Sequence, residues 1–461
     1  MIEVISIDTP ALGDRSYLAT DGQVALVVDP QRDIDRVLAA AAIRGVRISH
    51  VFETHIHNDY VSGGLALARA TGAAYHVNAA DEVSFDRVPV ADGDAVSVGE
   101  TMTVQVIATP GHTFSHLSYV LQDISTGQPA AVFTGGSLLH GSTGRPDLLG
   151  PAHAATLAAA QHTSAHRLAG RLPDQTPVCP THGFGSFCSA TQTAGTESTI
   201  GQEKLANPVL RLAEDEYVAG LLAGLDAYPA YYAHMGPANT AGPDVAELVP
   251  PAIASAAGLA SRIAAGEWVV DLRQRRAFAA GHVGGSFSFE YGTDFTTYLG
   301  WLIPWGAALT LLGDTPGQVA AAQRDLARIG IDQLAGAAAG GPAEWAGGQP
   351  LATFPVATFA DLATVRHHRP VTVLDVRRAL EWAGGHLDGA LHIPLHELPA
   401  RIGEVPPGEI WVHCQSGYRA VIAASLLQAA GRRAVAVDDG LARAAAAGLP
   451  QVTGDAAGRA A

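Results

Sequence analysis

The stretch WVVDLRQRRAFAAGHVGGSFSF, beginning at Trp268, is met again from Val371 as VTVLDVRRALEWAGGHLDGALHIP. Asp271, Arg273, Gly281 and His282 of the first copy fall opposite Asp375, Arg377, Gly385 and His386 of the second. Each copy then runs on as strand, loop and helix, LTLLGDTPGQVAAAQRDLARIGI in the first and IWVHCQSGYRAVIAASLLQAAG in the second. A repeat of this length is one supersecondary unit built twice. Its mixture of short apolar runs and helical spacing makes each unit an α/β layer structure. A chain of 461 residues is too long for one core, and a soft prior of roughly 100 to 200 residues per domain gives about three. The expected divisions are 1–249, 250–350 and 351–461, with the glycine- and proline-rich stretch 336–350 read as a surface link near the end of the first copy.

The copies differ where a reaction would take place. In the second, the apolar run Ile410–His413 leads into Cys414-Gln-Ser-Gly-Tyr-Arg419 and then an Ala- and Leu-rich helix. A thiol on a loop at a helix N-terminus faces unpaired N–H groups and the positive end of the dipole, which stabilise its thiolate. The amides of Gln415, Ser416, Gly417 and Tyr418 can form an anion-holding nest, Gly417 lets the loop curl, and Arg419 brings a fixed charge. A buried structural cysteine would need neither the Gly nor the Arg. At the matching place the first copy has Gly313-Asp314, with no nucleophile and no arginine in its closing loop.

Residues 1–190 alternate apolar runs such as VALVVD, HVFET, MTVQVIATPG and AAVFTG with helical stretches such as DIDRVLAAAAIRGV. Several runs end in His, Asp or Gly, and strand ends are where α/β proteins gather their sites. ETHIHNDY places His55, His57 and Asp59 at alternate positions after one run, TPGH places His112 after another, and PTHG places His182 after a third. Such a set is a common way to assemble metal ligands. Ser186–Pro208 and the stretch after it read as a connector whose Tyr228, Tyr231 and Tyr232 pack inward. Cys179 reads as core. Cys188, just after His182, is placed either in the core or near the mouth of the histidine site, where it could receive sulfur.

Residues 355–450, with DVRRALEWAGGHLDGALHIP and CQSGYR, resemble the rhodanese family. The resemblance implies transfer of sulfane sulfur through a Cys414 persulfide, with Asp375 and Arg377 supporting the loop and Glu381 and His386 structural. The first copy resembles an inactive rhodanese-like repeat. Residues 1 to about 240 resemble the metallo-β-lactamase superfold, a four-layer αβ/βα sandwich, and the combination resembles persulfide dioxygenase–rhodanese fusions. The implied fold is therefore that sandwich followed by two rhodanese-like α/β domains. The implied cofactor is one non-haem Fe(II), held in that family by the first histidine of THxHxDH, the histidine of PGH and the aspartate of TGD. The first two map onto His55 and His112. At the third, VFTGGSLLHGSTGRPDL has Gly136, and Tyr60 replaces the last motif histidine. His57 is then the expected replacement ligand, with Asp59, His182, Arg145 and Cys188 supporting the site or touching substrate.

Three functions compete: a persulfide dioxygenase with a remodelled iron site, a zinc-dependent thioester hydrolase of the glyoxalase II kind, and a metal-free persulfide-binding domain serving Cys414. The expected small-molecule partners are a low-molecular-weight thiol or persulfide, with thiosulfate or sulfite. A net charge of -16 argues against nucleic acid and anionic membranes. The absence of a long apolar run and of a signal-like N-terminus, with only three cysteines, gives the expectation of a cytoplasmic protein, read as a homo-oligomer.

Overall fold

The computed structural model describes residues 2–191 and 195–454. It divides into two compact units, residues 1–247 with 324–330, and residues 248–323 with 331–461. None of the described helices is long and apolar enough to cross a membrane.

The first unit is built on two sheets. One is six-stranded, in the order Glu3–Thr9, Asp14–Thr20, Val24–Val28, Arg47–Phe52, Ala74–Asn78, Val88–Val90. Its first three strands form an antiparallel meander and the rest run parallel to the third. The other is five-stranded, in the order Val178–Pro180, Gln128–Gly135, Leu117–Asp123, Met102–Ala108, Ala95–Val98. Period-two alternation decides which layer each side chain enters. In Val24–Val28, Leu26 and Val28 turn inward to meet Met102, Tyr119 and Phe133 of the other sheet. Ala25 and Val27 turn outward to the helices Asp35–Arg44 and Gly64–Thr71. The outer face of the second sheet, through Val120 and Val132, meets the helix Ala154–Arg171. These are the four layers of an αβ/βα sandwich.

The second unit contains the repeat. Its four-stranded sheet runs Phe287–Ser288, Trp268–Asp271, Leu309–Gly313, Leu334–Ala339, all parallel. Its five-stranded sheet runs Val356–Ala357, Arg433–Val437, Glu409–His413, Thr372–Asp375, Leu391–His392, also parallel. The shared motif has one structural job in both copies. Arg273 binds the Asp271 carboxylate at 2.7 Å and the Gly281 carbonyl at 2.8 Å. Arg377 does the same to Asp375 and to Gly385, both at 2.7 Å. His282 and His386 each bond the carbonyl four residues back, at 2.9 and 3.0 Å.

The reading of residues 336–350 as a surface link is corrected at its start and at Trp345, while residues 347–350 are exposed. Leu334–Ala339 is the edge strand of the four-stranded sheet with Ala337 and Ala338 buried, and Pro342–Ala346 is a short helix that buries Trp345. A run of small residues resembles a turn in composition, but small side chains also suit a strand packed tightly beneath helices.

Candidate metal centre and sulfur-carrying loop

In the first unit the site lies where strands end. Asp29 follows Val24–Val28, His55 follows Arg47–Phe52, His112 follows Met102–Ala108, Gly136 follows Gln128–Gly135, and His182 follows Val178–Pro180. His55, His112 and His182 each present a ring nitrogen, all within 4.8 Å of one another, and all three are buried. His182 Nε2 stands 3.3 Å from His55 Nε2. The opposite nitrogen of each ring is already engaged. His112 Nδ1 donates to the Arg145 carbonyl at 2.8 Å, His55 Nδ1 pairs with Thr54 Oγ1 at 2.9 Å, and His182 Nδ1 meets Asp14 Oδ1 at 2.9 Å and Asp59 Oδ2 at 3.1 Å.

His112 Nε2 is buried with no hydrogen-bond partner among the described residues, as are Asp14 Oδ2 and Asp59 Oδ1. Three imidazoles tied on one side and converging on the other, one with an orphaned lone pair, fit a divalent metal, since metal-bound histidines are anchored in this way through the second nitrogen. Burial first, and then the nearby His57 and His112 rings, push His55 well below the ordinary histidine range. Burial and His182 push His112 down to about 3. Burial also opposes charge on His182, but Asp59 and Asp14 overcome it and raise this histidine.

His57 was the expected third ligand; its Nδ1 is buried without a hydrogen-bond partner among the described residues, while its Nε2 faces an acidic cluster. Its Nε2 lies 3.2 Å from Glu53 Oε2, 3.3 Å from Asp29 Oδ1 and 3.0 Å from the Tyr60 hydroxyl. Burial opposes its charge, yet Asp29 and Glu53 raise it to about 9. Tyr60, standing at the missing motif histidine, therefore belongs to this acidic cluster. His182, read as a supporting residue, takes the facing position instead. His57 does lie near Asp59 and His182 in a second group able to hold a metal.

The place of the missing aspartate is filled. A Cβ on Gly136 would stand 2.3 Å from His112 Cδ2, and one on Gly144 would stand 2.6 Å from His112 Nδ1, so the His112 ring is wedged between two glycines. Arg145 supports the site through its carbonyl rather than its charge. Its guanidinium is held by Asp147 at 2.7 and 2.8 Å and by the Asp226 carbonyl at 2.6 Å, over the Tyr228 ring. Cys188 is fully buried, and burial together with Asp59 and Asp14 pushes its thiol well above the ordinary range. Sequence reasoning passed over four buried neighbours: His116, whose Nε2 accepts the Gly136 N–H at 3.0 Å, and the carboxylates of Asp14, Asp29 and Glu53. Asp29 carried a signal, because VALVVD ends in a polar residue like the other strands.

In the second unit Cys414 follows the strand Glu409–His413, and the helix Tyr418–Ala429 begins just beyond it. Cys414 Sγ accepts the Gly417 N–H at 3.1 Å, and Gly417 has φ +100°, which only glycine takes without strain. Arg419 does not stand as a free charge beside the sulfur. Its two Nη atoms grip Glu381 at 2.6 and 2.7 Å. Against the cost of burial, Arg419 draws Glu381 down to about 2. Glu381 is thus the partner of Arg419 as well as part of the frame. A small cleft adjoins Arg419, lined by Val376, Arg378, Leu395 and His396 and by Tyr298 and Trp301 of the first repeat.

Residues 14–182 match the metallo-beta-lactamase superfamily, and residues 358–447 match the rhodanese-like domain. A hydroxyacylglutathione hydrolase of Rhodobacter capsulatus is 31% identical over 46% of this chain and 86% of its own length. One from Polaromonas is 36% identical, with only 57% of its length matched. The mitochondrial persulfide dioxygenase ETHE1 of Homo sapiens is 29% identical over 47% of this chain and 77% of its own. The crystal structure of a metallo-beta-lactamase from Staphylococcus aureus subsp. aureus COL aligns with a TM-score of 0.66 at 28% identity, covering 74% of this chain and 99% of that one. The chain belongs to the metallo-beta-lactamase superfamily and carries a rhodanese-like domain in its C-terminal part. Its first unit is related both to persulfide dioxygenase and to hydroxyacylglutathione hydrolase.

Proposed function

We propose that the chain is an enzyme of sulfur metabolism in which Cys414 carries sulfane sulfur as a persulfide, while the first unit oxidises a low-molecular-weight persulfide such as glutathione persulfide. The observation that carries the reading is Cys414 Sγ receiving an amide N–H at the start of a helix, inside a rhodanese-like domain. In the transfer step the Cys414 thiolate attacks the outer sulfur of thiosulfate. The S–S bond breaks, sulfite leaves with the electron pair, and Cys414 is left as an anionic persulfide. A thiolate acceptor then attacks the outer sulfur and returns Cys414 to the thiolate. The Gly417 N–H holds negative charge on the sulfur, and the Arg419–Glu381 pair fixes the first turn of the helix behind it.

In the first unit His55, His112 and His182 would hold one metal ion. Bound Fe(II) would supply the redox chemistry that joins O₂ to sulfur, in an overall reaction of persulfide, O₂ and water to thiol and sulfite. The Arg145 carbonyl fixes the tautomer of His112, and Asp14 accepts from His182 Nδ1 with the Asp59 carboxylate 3.1 Å away, so that both Nε2 atoms face the site. A second reading, zinc-dependent thioester hydrolysis, is favoured by the donor set, because three imidazoles without a carboxylate are a usual catalytic zinc set, whereas oxygen-activating iron ordinarily has two histidines and one carboxylate.

Metal analysis of the purified protein, with O₂ uptake on glutathione persulfide and hydrolysis of a glutathione thioester, separates the readings. Iron with O₂ uptake supports the first, zinc with hydrolysis supports the second, and a metal-free protein active only in transfer overturns both for this unit. Cys414→Ser is expected to abolish sulfur transfer in a folded protein, because no other thiol lies in the second unit. Near-normal transfer by that variant would overturn the assignment of Cys414.

A further inference from the structure

The first repeat has no nucleophile, yet it delivers two arginines to the back of the loop that has one. The Gly417 N–H points at Cys414 Sγ, and the opposite side of Gly417 is closed. A Cβ there would stand 2.1 Å from Asp438 Oδ1 and 2.8 Å from Asp438 Cα. The Asp438 carboxylate therefore occupies the space that a side chain at position 417 would need. Asp438 follows the strand Arg433–Val437, and its side chain is 1% exposed. A carboxylate so buried, pressed against a loop that must carry an anionic sulfur, is costly twice over, by loss of hydration and by like-charge repulsion.

What offsets that cost comes from the first repeat. Arg275 Nε meets Asp438 Oδ1 at 2.8 Å, Arg276 Nε meets Asp438 Oδ2, and Arg276 Nη2 reaches the Asp438 carbonyl at 3.4 Å. Both arginines lie in the first turn of the helix Arg275–Ala280, where the Gln274 side chain caps the N–H groups of Arg276 and Ala277. Arg275 is steadied by Glu290 at 2.7 Å, and the Glu290 carbonyl accepts the hydroxyl of Tyr418, a residue of the sulfur loop, at 3.3 Å. Arg419 cannot stand in for this pair, since Glu381 already grips it.

We propose that Arg275 and Arg276 are positioning residues for the chemistry of Cys414. By neutralising Asp438 behind Gly417 they allow the loop to hold negative charge on sulfur, as thiolate and then as persulfide. The repeat without a nucleophile is thereby a required part of the site that has one. The inference rests on Cys414 as the sulfur carrier, but its test need not.

The full-length parent, Arg275→Ala/Arg276→Ala, Arg275→Lys/Arg276→Lys, and the double alanine variant with Asp438→Asn added are compared. Each is treated with iodoacetamide at neutral pH, and alkylation is followed by mass spectrometry on the Cys414 peptide, with the Cys188 peptide reporting the fold. Sulfur loading from thiosulfate is measured alongside. The double alanine variant is expected to be alkylated and loaded roughly tenfold more slowly. The lysine variant should keep most of the parent rate. Adding Asp438→Asn should recover most of the loss, because the charge that required neutralising is gone although the arginine contacts are not restored. An alanine variant that matches the parent overturns the inference, and so does a loss that Asp438→Asn leaves in place, which would mean that the arginines only hold the two repeats together. Should the double variant be insoluble, Arg276→Ala, at a side chain 64% exposed, gives the same comparison with and without Asp438→Asn. A parent alkylated at Cys414 that takes up no sulfur would tell against the sulfur-carrier reading alone, since alkylation reports the clamp whatever the cargo.

Discussion

Gly136 carries more of the argument about the metal than any residue that bears a ligand atom. From the sequence alone, Gly136→Asp looks like a repair, returning the carboxylate that the family resemblance implies there. The position has no room for it, because the new Cβ would stand 2.3 Å from the His112 ring. The ring would have to leave the space between Gly136 and Gly144 and give up its bond to the Arg145 carbonyl. Gly136→Asp is therefore expected to lower the metal content of the purified protein and to destabilise it by about 1–3 kcal/mol, the usual cost of overpacking. Metal analysis and a urea melt would check this, and a rise in bound metal would mean that His112 can be displaced at no cost. Glu381 gives a prediction with a sign. Its carboxyl is held at about 2 in the folded chain against an ordinary 4.5. Its contribution is therefore complete above about pH 4.5 and is lost as pH falls through about 2. Glu381→Gln should cost about 2 kcal/mol at neutral pH, where it leaves Arg419 poorly paired, and the gap to the parent should narrow steadily on acidification below pH 4.5. A gap that stays constant with pH would show that the Glu381–Arg419 pair contributes no charge-dependent stability.

At the scale of elements, strands and their ends were legible, while the direction in which side chains turn was not. His55, His112, His182 and the CQSGYR loop could be found because each follows an apolar run, a strictly local pattern. The bonding partners of His57 and His182 could not. Asp29 and Glu53 draw His57 aside, and Asp14 with Asp59 aims His182 inward, through contacts spanning up to 168 positions. Arg419 likewise looked like a free cation until its partner, 38 residues upstream, was in place. The strand Leu334–Ala339 was missed for a different reason, since its alanines and glycine carry none of the β-branched signal of a strand. They are there for their size. Ala338 packs in the cluster of Leu259, Val269, Val283, Leu312 and Trp345. Ala338→Leu should therefore overfill the cluster and cost about 1–3 kcal/mol, read as a lower urea midpoint with an unchanged slope. A surface link would tolerate the change.

For the molecule as a whole, the two candidate chemistries depend on separate sets of residues. The imidazoles of His55, His112 and His182, with Asp14, Asp59 and the Arg145 carbonyl behind them, all belong to the first unit. Cys414, Gly417, Arg419, Glu381 and Asp438 all belong to the second. No described ligand candidate near Cys414 forms a metal-holding group. Removal of the metal by a chelator should therefore abolish O₂ uptake on glutathione persulfide while leaving sulfur transfer from thiosulfate within about twofold of its starting rate, as expected for sites with no shared partners. Cys414→Ser should do the reverse. Chelation should also lower the thermal stability of the first unit, because an ion that binds only the folded state adds about 2.7 kcal/mol when present at about 100 times its dissociation constant. Returning Fe(II) and Zn(II) separately to the stripped protein then compares the metals on one scaffold: both should raise the melting temperature, and only iron should restore O₂ uptake. If stripping the metal also halts transfer at Cys414, the two sites are coupled and the division of labour drawn from their separate residue sets is wrong.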